Sequence, residues 1–88
     1  MLKIVLRHQF KKDYKLMGKR GRDMGRIDRV MHKLVDQQQL PEKNQDHVLL
    51  GKYAGYRECH IAPDWLLIYK VAGNQIYFAR TGSHSDLF

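Results

Sequence analysis

The architecture follows from the most apolar stretch of the chain, which reads WLLIYKV at residues 65–71. Turn residues bound it on both sides, with Pro63 and Asp64 before it and Gly73 and Asn74 after it. A short apolar run between two turns predicts a strand that is buried on both faces. We therefore place this strand at the centre of a sheet and arrange the remaining elements around it.

Further strand-like segments flank this run along the chain. Residues 55–61 precede it, and residues 75–81 return after the hairpin turn at Gly73. A shorter strand is predicted at 47–50, and residues 2–6, rich in Ile, Val and Leu, predict one more at the start. The second half of the chain therefore reads as an antiparallel meander.

Two helices are predicted between the first strand and the others. Phe10, Tyr14 and Met17 recur at spacings of four and three, which predicts an amphipathic helix that begins near His8. Glycines interrupt the basic run that follows, and Asp23 is placed to cap a second helix. The apolar stripe of that helix is Ile27, Val30, Met31, Leu34 and Val35.

The order of these elements predicts an α+β fold. An N-terminal strand and a two-helix hairpin would pack on one face of a mainly antiparallel sheet. Residues 36–45 lose the helical periodicity and contain Pro41, so they are predicted to be a loop. We assign residues 1–88 to a single domain, because a chain of 88 residues fits the size of one domain.

Basic residues are concentrated in the first half of the chain. The whole sequence has 16 Lys and Arg against 9 Asp and Glu, which gives a net charge of +7. Residues 1–40 contain eleven basic and four acidic side chains, whereas residues 41–88 contain five of each. This clustering favours a polyanionic partner such as nucleic acid. A solvated helix face that maintains solubility would give the same pattern.

The composition excludes several other classes of protein. One cysteine, Cys59, can form neither an internal disulfide nor a paired-cysteine metal site. No apolar run reaches the roughly 18 residues that span a membrane, and no signal-peptide cleavage site follows the short apolar start. We therefore expect a small cytoplasmic protein that needs neither a membrane nor a cofactor.

Titratable side chains collect in the second half, at strand ends that a meander brings to one edge of the sheet. They are His47, His60, Asp64, Arg80 and His84. Simple alternation in the last strand places Arg80 on the same side as Ile76 and Phe78, at the rim of the core. These residues are candidates for a catalytic site.

Each candidate also has a structural interpretation. Asp64 can cap its own turn, and Arg80 can pair with an acidic neighbour such as Glu58. Near the C-terminus, where His84 lies, disorder is the default expectation. A zinc site formed by His60, Asp64 and His84 is conceivable, but their spacing matches no ligand motif.

The candidate side chains suit the cleavage of RNA without a metal ion. Two histidines can act as general base and general acid near neutral pH, and arginine offers a planar, charged fork to a phosphate. The RNA strand supplies its own nucleophile, the 2′-hydroxyl beside each phosphate. Gly82, two residues after Arg80, would let a phosphate approach the backbone closely.

The sequence resembles the YafQ family of mRNA-cleaving toxins, in the RelE/ParE superfamily of bacterial type II toxin–antitoxin systems. The resemblance rests on DHVL at 46–49, GYR at 55–57, His60, PDWLLIY at 63–69 and RTGSHSDLF at 80–88. It implies a RelE/ParE-like fold and a metal-independent endoribonuclease that acts on mRNA in the ribosomal A site. Two positions depart from the family, with Val48 in place of a frequent proline and Tyr53 in place of tryptophan.

The resemblance assigns a role to each catalytic candidate. His84 would be the general acid that protonates the 5′-oxygen leaving group, and either His60 or His47 the base that deprotonates the 2′-hydroxyl. Asp64 would orient a histidine, and Arg80 would neutralise the charge that develops on the phosphorane. The expected products are a 2′,3′-cyclic phosphate, or the 3′-phosphate formed when it opens, and a 5′-hydroxyl.

Other residues are expected to contact RNA. The family's functional tryptophan and terminal aromatic residue correspond to Trp65 and Phe88, although a tryptophan in an apolar strand is more often part of the core. Phosphate contacts from the helical hairpin to ribosomal RNA carry affinity without sequence information. The basic residues expected to make them are Lys11, Lys12, Lys15, Lys19, Arg20, Arg22 and Arg26.

The resemblance also implies partners. An acidic antitoxin of the DinJ kind, partly disordered until it binds, would neutralise the toxin, and operator DNA would be bound only by their complex. The alternative interpretation is a ParE-like toxin that inhibits gyrase by binding and cleaves nothing. Three histidines near Arg80 favour the nuclease, because a binding inhibitor does not need them. A basic RNA-binding module without catalysis is a third interpretation.

Overall fold

The computed structural model describes residues 1–88 as a five-stranded sheet with three helices. The helices are α1 (His8–Lys19), α2 (Met24–Val35) and α3 (His84–Leu87). The strands are β1 (Lys3–Leu6), β2 (His47–Val48), β3 (Arg57–Ala62), β4 (Trp65–Ala72) and β5 (Gln75–Gly82). Single 3₁₀ turns lie at Glu42–Asn44 and Gly51–Tyr53. The predicted α+β class is confirmed.

The apolar run at 65–71 forms the central strand, as its pattern predicts. The strand order is β1-β5-β4-β3-β2, and β4 pairs antiparallel with both β3 and β5. The first strand, β1, lies parallel to β5 at one edge, with Lys3 opposite Gln75 and Leu6 opposite Phe78. The sheet is therefore mainly antiparallel, with one parallel pair that joins the beginning of the chain to its last strand.

The strand predicted at 47–50 is shorter than expected. β2 comprises only His47 and Val48, because the chain then turns at Gly51, whose φ of 68° lies in the left-handed region that favours glycine. The loop that follows folds back over the sheet. No helix is long and apolar enough to cross a membrane.

The two long helices cover one face of the sheet, which we call the helix-covered face. Its core is formed by Phe10, Met17, Ile27, Leu34, Val35, Cys59, Trp65, Leu67, Ile76 and Phe78, with smaller contributions around them. Asp23 caps α2 as predicted, accepting a hydrogen bond from the backbone N–H of Gly25 at 3.1 Å. Because each fully buried apolar side chain contributes about 1.5–3 kcal/mol, this face supplies most of the hydrophobic stabilisation.

The opposite face, which we call the loop-covered face, has a much smaller apolar core. Its buried apolar residues are Leu66, Ile68 and Leu87, packed with the partly buried Leu49, Tyr53, Tyr56 and Ala79. The 51–53 turn and α3 cover part of this face. His47, Glu58 and His60 lie on this face, beside the end of α3 that carries His84.

A β-bulge reverses the orientation predicted for Arg80. Phe78 pairs with Tyr69, whereas Arg80 pairs with Ile68, so Ala79 is an extra residue in β5. Arg80 therefore lies on the loop-covered face with Ile68, and not on the side of Phe78 as simple alternation predicted. The bulge brings the guanidinium of Arg80 to the face that also carries His47 and His60.

Candidate active site

α3 places His84 beside Asp64. Asp64 lies in the β3–β4 turn, and its Oδ1 atom accepts the backbone N–H of His84 at 2.9 Å and contacts the ring Nδ1 at 2.6 Å. The backbone hydrogen bond, and then the ring, lowers the pKa of the Asp64 carboxyl below its ordinary value. Because Nδ1 is engaged by a carboxylate, Nε2 is the ring nitrogen of His84 that remains for another partner.

The C-terminal residues are ordered as α3 rather than disordered. Ser83 and Asp86 form a capping box, in which Ser83 Oγ accepts the N–H of Asp86 at 3.2 Å and Asp86 accepts the N–H of Ser83 at 2.8 Å. Arg20 donates two further hydrogen bonds to Asp86, at 2.6 and 3.1 Å, and holds the pKa of that carboxyl well below its usual range.

The capping box also occupies the space beside Gly82. A Cβ at Gly82 would lie 3.0 Å from the Asp86 side chain, so a larger residue would push against that side chain and α3. The space that we expected a phosphate to use is therefore filled by a carboxylate. Gly82 serves the packing of α3 and is not a phosphate contact in this arrangement.

Glu58 connects His47 and His60, a role that the sequence pattern did not identify. Its carboxylate belongs to a residue that is 5% exposed, and Oε1 lies 3.6 Å from Nε2 of His47 and 3.7 Å from Nε2 of His60. His47 faces Glu58 across the β2–β3 pair, and His60 follows it by two residues on the same face of β3. That spacing of two in a strand is the signal that could have identified it.

The two histidines that contact Glu58 adjoin the pair of His84 and Asp64, because the ring of His60 contacts the ring of His84. Their ring centroids are 5.8 Å apart and the ring planes are inclined by 62°. The structure thus joins four of the five predicted catalytic candidates in one series of contacts, which runs from His47 through Glu58 to His60, and from His84 to Asp64. An open face that holds two facing imidazoles can exchange protons with a bound substrate.

The fifth candidate, Arg80, lies across the loop-covered face. Arg80 pairs with Ile68, which pairs in turn with Glu58, and two steps of about 4.8 Å put the outer backbones about 10 Å apart. The ion-pair partner of Arg80 is Asp13 of α1, not Glu58, with Nε donating to Oδ2 at 2.7 Å. This hydrogen bond raises the pKa of Arg80. Arg80 pairs with Asp13 because β1 ends at Leu6, opposite Phe78, and α1 lies beside the remaining edge of β5.

Asp13 is a second acidic residue whose role the sequence pattern did not identify. It is 6% exposed, although it lies in a helix whose other buried residues are apolar. Besides Arg80, it accepts the backbone N–H of Thr81 at 3.2 Å. Asp13 therefore holds both the side chain of Arg80 and the end of β5.

The two aromatic residues predicted at the site lie in different environments. Phe88 is 64% exposed, and its ring packs edge-on against Tyr53 with centroids 5.5 Å apart. Trp65 is 1% exposed and donates its indole N–H to Thr81 Oγ1 at 3.0 Å, within the helix-covered core. A substrate base can therefore reach Phe88 but cannot stack on Trp65 in this conformation.

The basic residues of the helical hairpin fall into two groups. Those that are exposed to solvent and form no ion pair are Lys11, Lys12, Lys15, Lys19 and Arg26. Arg20 is bound to Asp86, and Arg22 lies 5.5 Å from the ring centroid of Trp65 while contacting the carbonyl oxygen of Asp64 at 3.5 Å. Two of the predicted RNA contacts are thus engaged within the protein, where they support the segments that carry Asp64 and His84.

The side chains do not form a metal-binding group. No three His, Cys, Asp or Glu residues are arranged so that they could hold a metal ion together. The thiol of Cys59 is buried, and this burial raises its pKa. It therefore stays protonated, whereas metals bind the thiolate.

Known proteins are similar to this chain over almost its whole length. A model of the family described as the YafQ toxin of bacterial type II toxin–antitoxin systems matches residues 2–88. The mRNA interferase toxin YafQ of Escherichia coli K12 is 43% identical over 81 residues, which are 91% of this chain and 88% of that protein. The resemblance seen in the sequence motifs is confirmed.

Solved structures agree with this comparison. A chain in the crystal structure of the E. coli DinJ-YafQ complex is 40% identical, with a TM-score of 0.92 over 100% of this chain and 99% of that one. A metal-bound toxin from Helicobacter pylori is also 40% identical, with a TM-score of 0.92 over 100% of both chains. The chain therefore belongs to the YafQ family of toxins from bacterial type II toxin–antitoxin systems.

Proposed function

We propose that the protein is an endoribonuclease that cleaves mRNA in the ribosomal A site without a metal ion. The observation that carries the proposal is the contact between the imidazoles of His60 and His84, whose ring centroids are 5.8 Å apart. Two rings this close can both reach the atoms of one bound phosphodiester, so that one accepts a proton and the other donates one. The name of the E. coli relative, an mRNA interferase, supports the same reaction.

His84 is the general acid in this proposal. Its Nδ1 contacts Asp64 at 2.6 Å, which leaves Nε2 to deliver a proton to the 5′-oxygen as the P–O5′ bond breaks. Asp64 acts as the orienting carboxylate, in the way that a buried aspartate orients the histidine of a hydrolytic triad. Here the pair is exposed, so the carboxylate orients the ring without removing it from solvent.

His60 is the general base that we favour over His47. It removes the proton of the 2′-hydroxyl as that oxygen attacks phosphorus, which gives the 2′,3′-cyclic phosphate and a 5′-hydroxyl. The ring of His60 faces His84, whereas that of His47 is separated from His60 by the Glu58 carboxylate. We therefore expect His60→Ala to reduce cleavage more than His47→Ala, and the reverse order would assign the base to His47.

Arg80 stabilises the extra negative charge of the phosphorane. Asp13 holds Nε of Arg80, and the hydroxyl of Tyr53 lies 3.5 Å from Nη1. A guanidinium held in this way needs little reorganisation when charge develops in the transition state. Phe88, exposed beside Tyr53, would stack on a base next to the cleavage position.

The partners follow from the charge and from the relatives. A protein with a net charge of +7 suits an acidic antitoxin, and a similar E. coli chain was crystallised in a complex with DinJ. We propose that a DinJ-like antitoxin neutralises this protein and that operator DNA is bound only by the complex. The exposed lysines of α1 would contact ribosomal RNA through its phosphates.

The decisive test is primer extension on a defined mRNA in a purified translation system. The parent protein, His84→Ala and a matched control, His32→Ala, are compared, because His32 is exposed on α2 away from the site. We expect cuts at A-site codons with the parent and the control, and none with His84→Ala. Cuts of equal strength on ribosome-free RNA would contradict ribosome dependence.

Two further arms address the metal and the alternative function. A chelator selective for zinc and copper leaves ribosomal Mg²⁺ in place and should not change cleavage. Loss of cleavage with the chelator would contradict the metal-free reaction, a relevant outcome because a similar H. pylori toxin is metal-bound. Growth arrest in cells without any cut RNA would instead favour a ParE-like inhibitor of gyrase.

A further inference from the structure

A basic cleft lies beside the catalytic candidates, between α2 and the 42–44 turn. It consists of two adjoining cavities of about 200 and 390 Å³ that share Arg26, Lys43 and Asn44 in their walls. The smaller cavity is also lined by Arg29 and Lys33. No acidic residue lines either cavity, so the cleft carries only positive charge.

The four cations of the cleft are not engaged by acids of the protein. Ion pairs are made by Arg20, Arg57 and Arg80, but by none of these four residues. Two acids of the neighbouring helix have other contacts, since Asp28 accepts the hydroxyl of Tyr14 at 2.6 Å and Asp36 lies 3.9 Å from His32. The cations therefore remain available for an anion from outside.

A hydrogen bond joins the cleft to β3, the strand that carries His60. Asn44, 7% exposed, donates from Nδ2 to the carbonyl oxygen of His60 at 2.7 Å. The carbonyl oxygen of Gln45 lies 2.6 Å from Nδ1 of His47. His60 itself lines the larger cavity. A strand of RNA whose phosphate lies at His60 can therefore continue into the cleft without crossing an acidic surface.

We propose that this cleft binds the sugar–phosphate backbone of the mRNA substrate next to the scissile phosphate. The inference rests on the proposed ribonuclease function and adds a second part to its substrate site. Lys43 would contact a phosphate close to the cut, and Lys33, which lines only the smaller cavity, a phosphate further along. Such contacts hold the strand in register without reading its sequence.

Site-directed photocrosslinking tests the proposal on programmed ribosomes. The only natural cysteine, Cys59, is 0% exposed, so a cysteine introduced at the surface can be alkylated selectively. Lys43→Cys and Lys33→Cys are labelled with azidophenacyl bromide in a His84→Gln background that leaves the mRNA intact. The matched control is Lys12→Cys, an exposed lysine of α1 outside the cleft.

The expected result is that both cleft probes crosslink mRNA, with the Lys33 probe further from the cleavage codon than the Lys43 probe. The Lys12 probe should label ribosomal RNA and not mRNA. Labelling of ribosomal RNA alone by the cleft probes, or of no RNA, would overturn the proposal. If the parent protein cuts no mRNA while the cleft probes still label it, the ribonuclease function fails and the cleft assignment stands.

Discussion

The two faces of the sheet differ in what their side chains do. The helix-covered face buries a continuous apolar core of fourteen residues and contains none of the proposed catalytic groups. The loop-covered face has three buried apolar residues and carries the histidines, Glu58 and Arg80. One sheet thus places most of the apolar packing on one face and the candidate chemistry on the other. Substitutions on the two faces should therefore have separable effects.

The largest effect is expected from His84→Gln on the loop-covered face. Removing a general acid typically lowers the rate by about 10²- to 10⁴-fold, and we expect this loss in single-turnover cleavage of ribosome-bound mRNA. The side chain is 55% exposed, so the urea midpoint of unfolding should stay within error of the parent. A variant that loses activity only because it unfolds would contradict the separation of the two faces.

Ile76→Ala tests the helix-covered face in the opposite sense. Ile76 is 0% exposed within the large core, and truncation of such a residue costs about 2–5 kcal/mol. We expect a lower urea midpoint with nearly unchanged cleavage per folded molecule at low temperature. Val48→Ala, at a residue that is 61% exposed, is the matched control and should change neither quantity.

Asp13→Asn should affect both faces, because Asp13 lies at the edge where they meet. The substitution leaves the guanidinium of Arg80 without its anionic partner and weakens the hydrogen bond from the N–H of Thr81. Disrupting a buried charged hydrogen bond costs about 1–3 kcal/mol. Unfolding and cleavage should both be impaired, and restored stability at high salt without restored cleavage would show that Arg80 must be oriented.

The smallest effect is expected on stability in acid, where the carboxyl groups of Asp64, beside α3, and Asp86, within it, take up protons. The folded-state pKa values of Asp64 and Asp86 lie below the ordinary carboxyl value of about 3.9. The folded chain therefore binds fewer protons, and the stability contributed by these groups is present above that value and lost as pH falls towards the folded-state pKa values. Carbon-13 NMR of the carboxyl groups measures both titrations.

Arg20→Gln sharpens this test. Arg20 is the main cause of the lowered pKa of Asp86, so its removal should move that titration towards the ordinary carboxyl value and leave Asp64 nearly unchanged. An unaltered Asp86 titration would mean that the capping box alone lowers its pKa. A shift of both titrations would show that α3 moves as a unit.

The two faces also differ in how far the sequence predicts them. The helix-covered face follows from local periodicity, which is why α1, α2 and the central strand agree with their patterns. The loop-covered face depends on pairings between residues distant in the chain, such as Arg80 with Asp13. The bulge at Ala79 leaves no periodic signal, and the contact of Glu58 with His47 becomes apparent only when β2 is paired with β3.

The sequence predicts the C-terminal helix, α3, only in part. Its capping box, Ser83 with Asp86, is readable as a local motif, so order near His84 was predictable. Its ion pair with Arg20 was not, because the two residues are joined only by the fold. The family resemblance supplies the catalytic candidates, whereas the contacts of Arg80 with Asp13 and of Asp86 with Arg20 follow only from the fold.

The parallel pairing of β1 with β5 has a consequence for biosynthesis. Lys3 leaves the ribosome early, yet its partner Gln75 is translated near the end of the chain, and synthesis proceeds from the N-terminus. Until β5 emerges, α1 and α2 have no complete sheet on which to pack, and Arg80 and His84 do not yet exist. The candidate site can therefore assemble only after the segment from Gln75 to His84 has been synthesised.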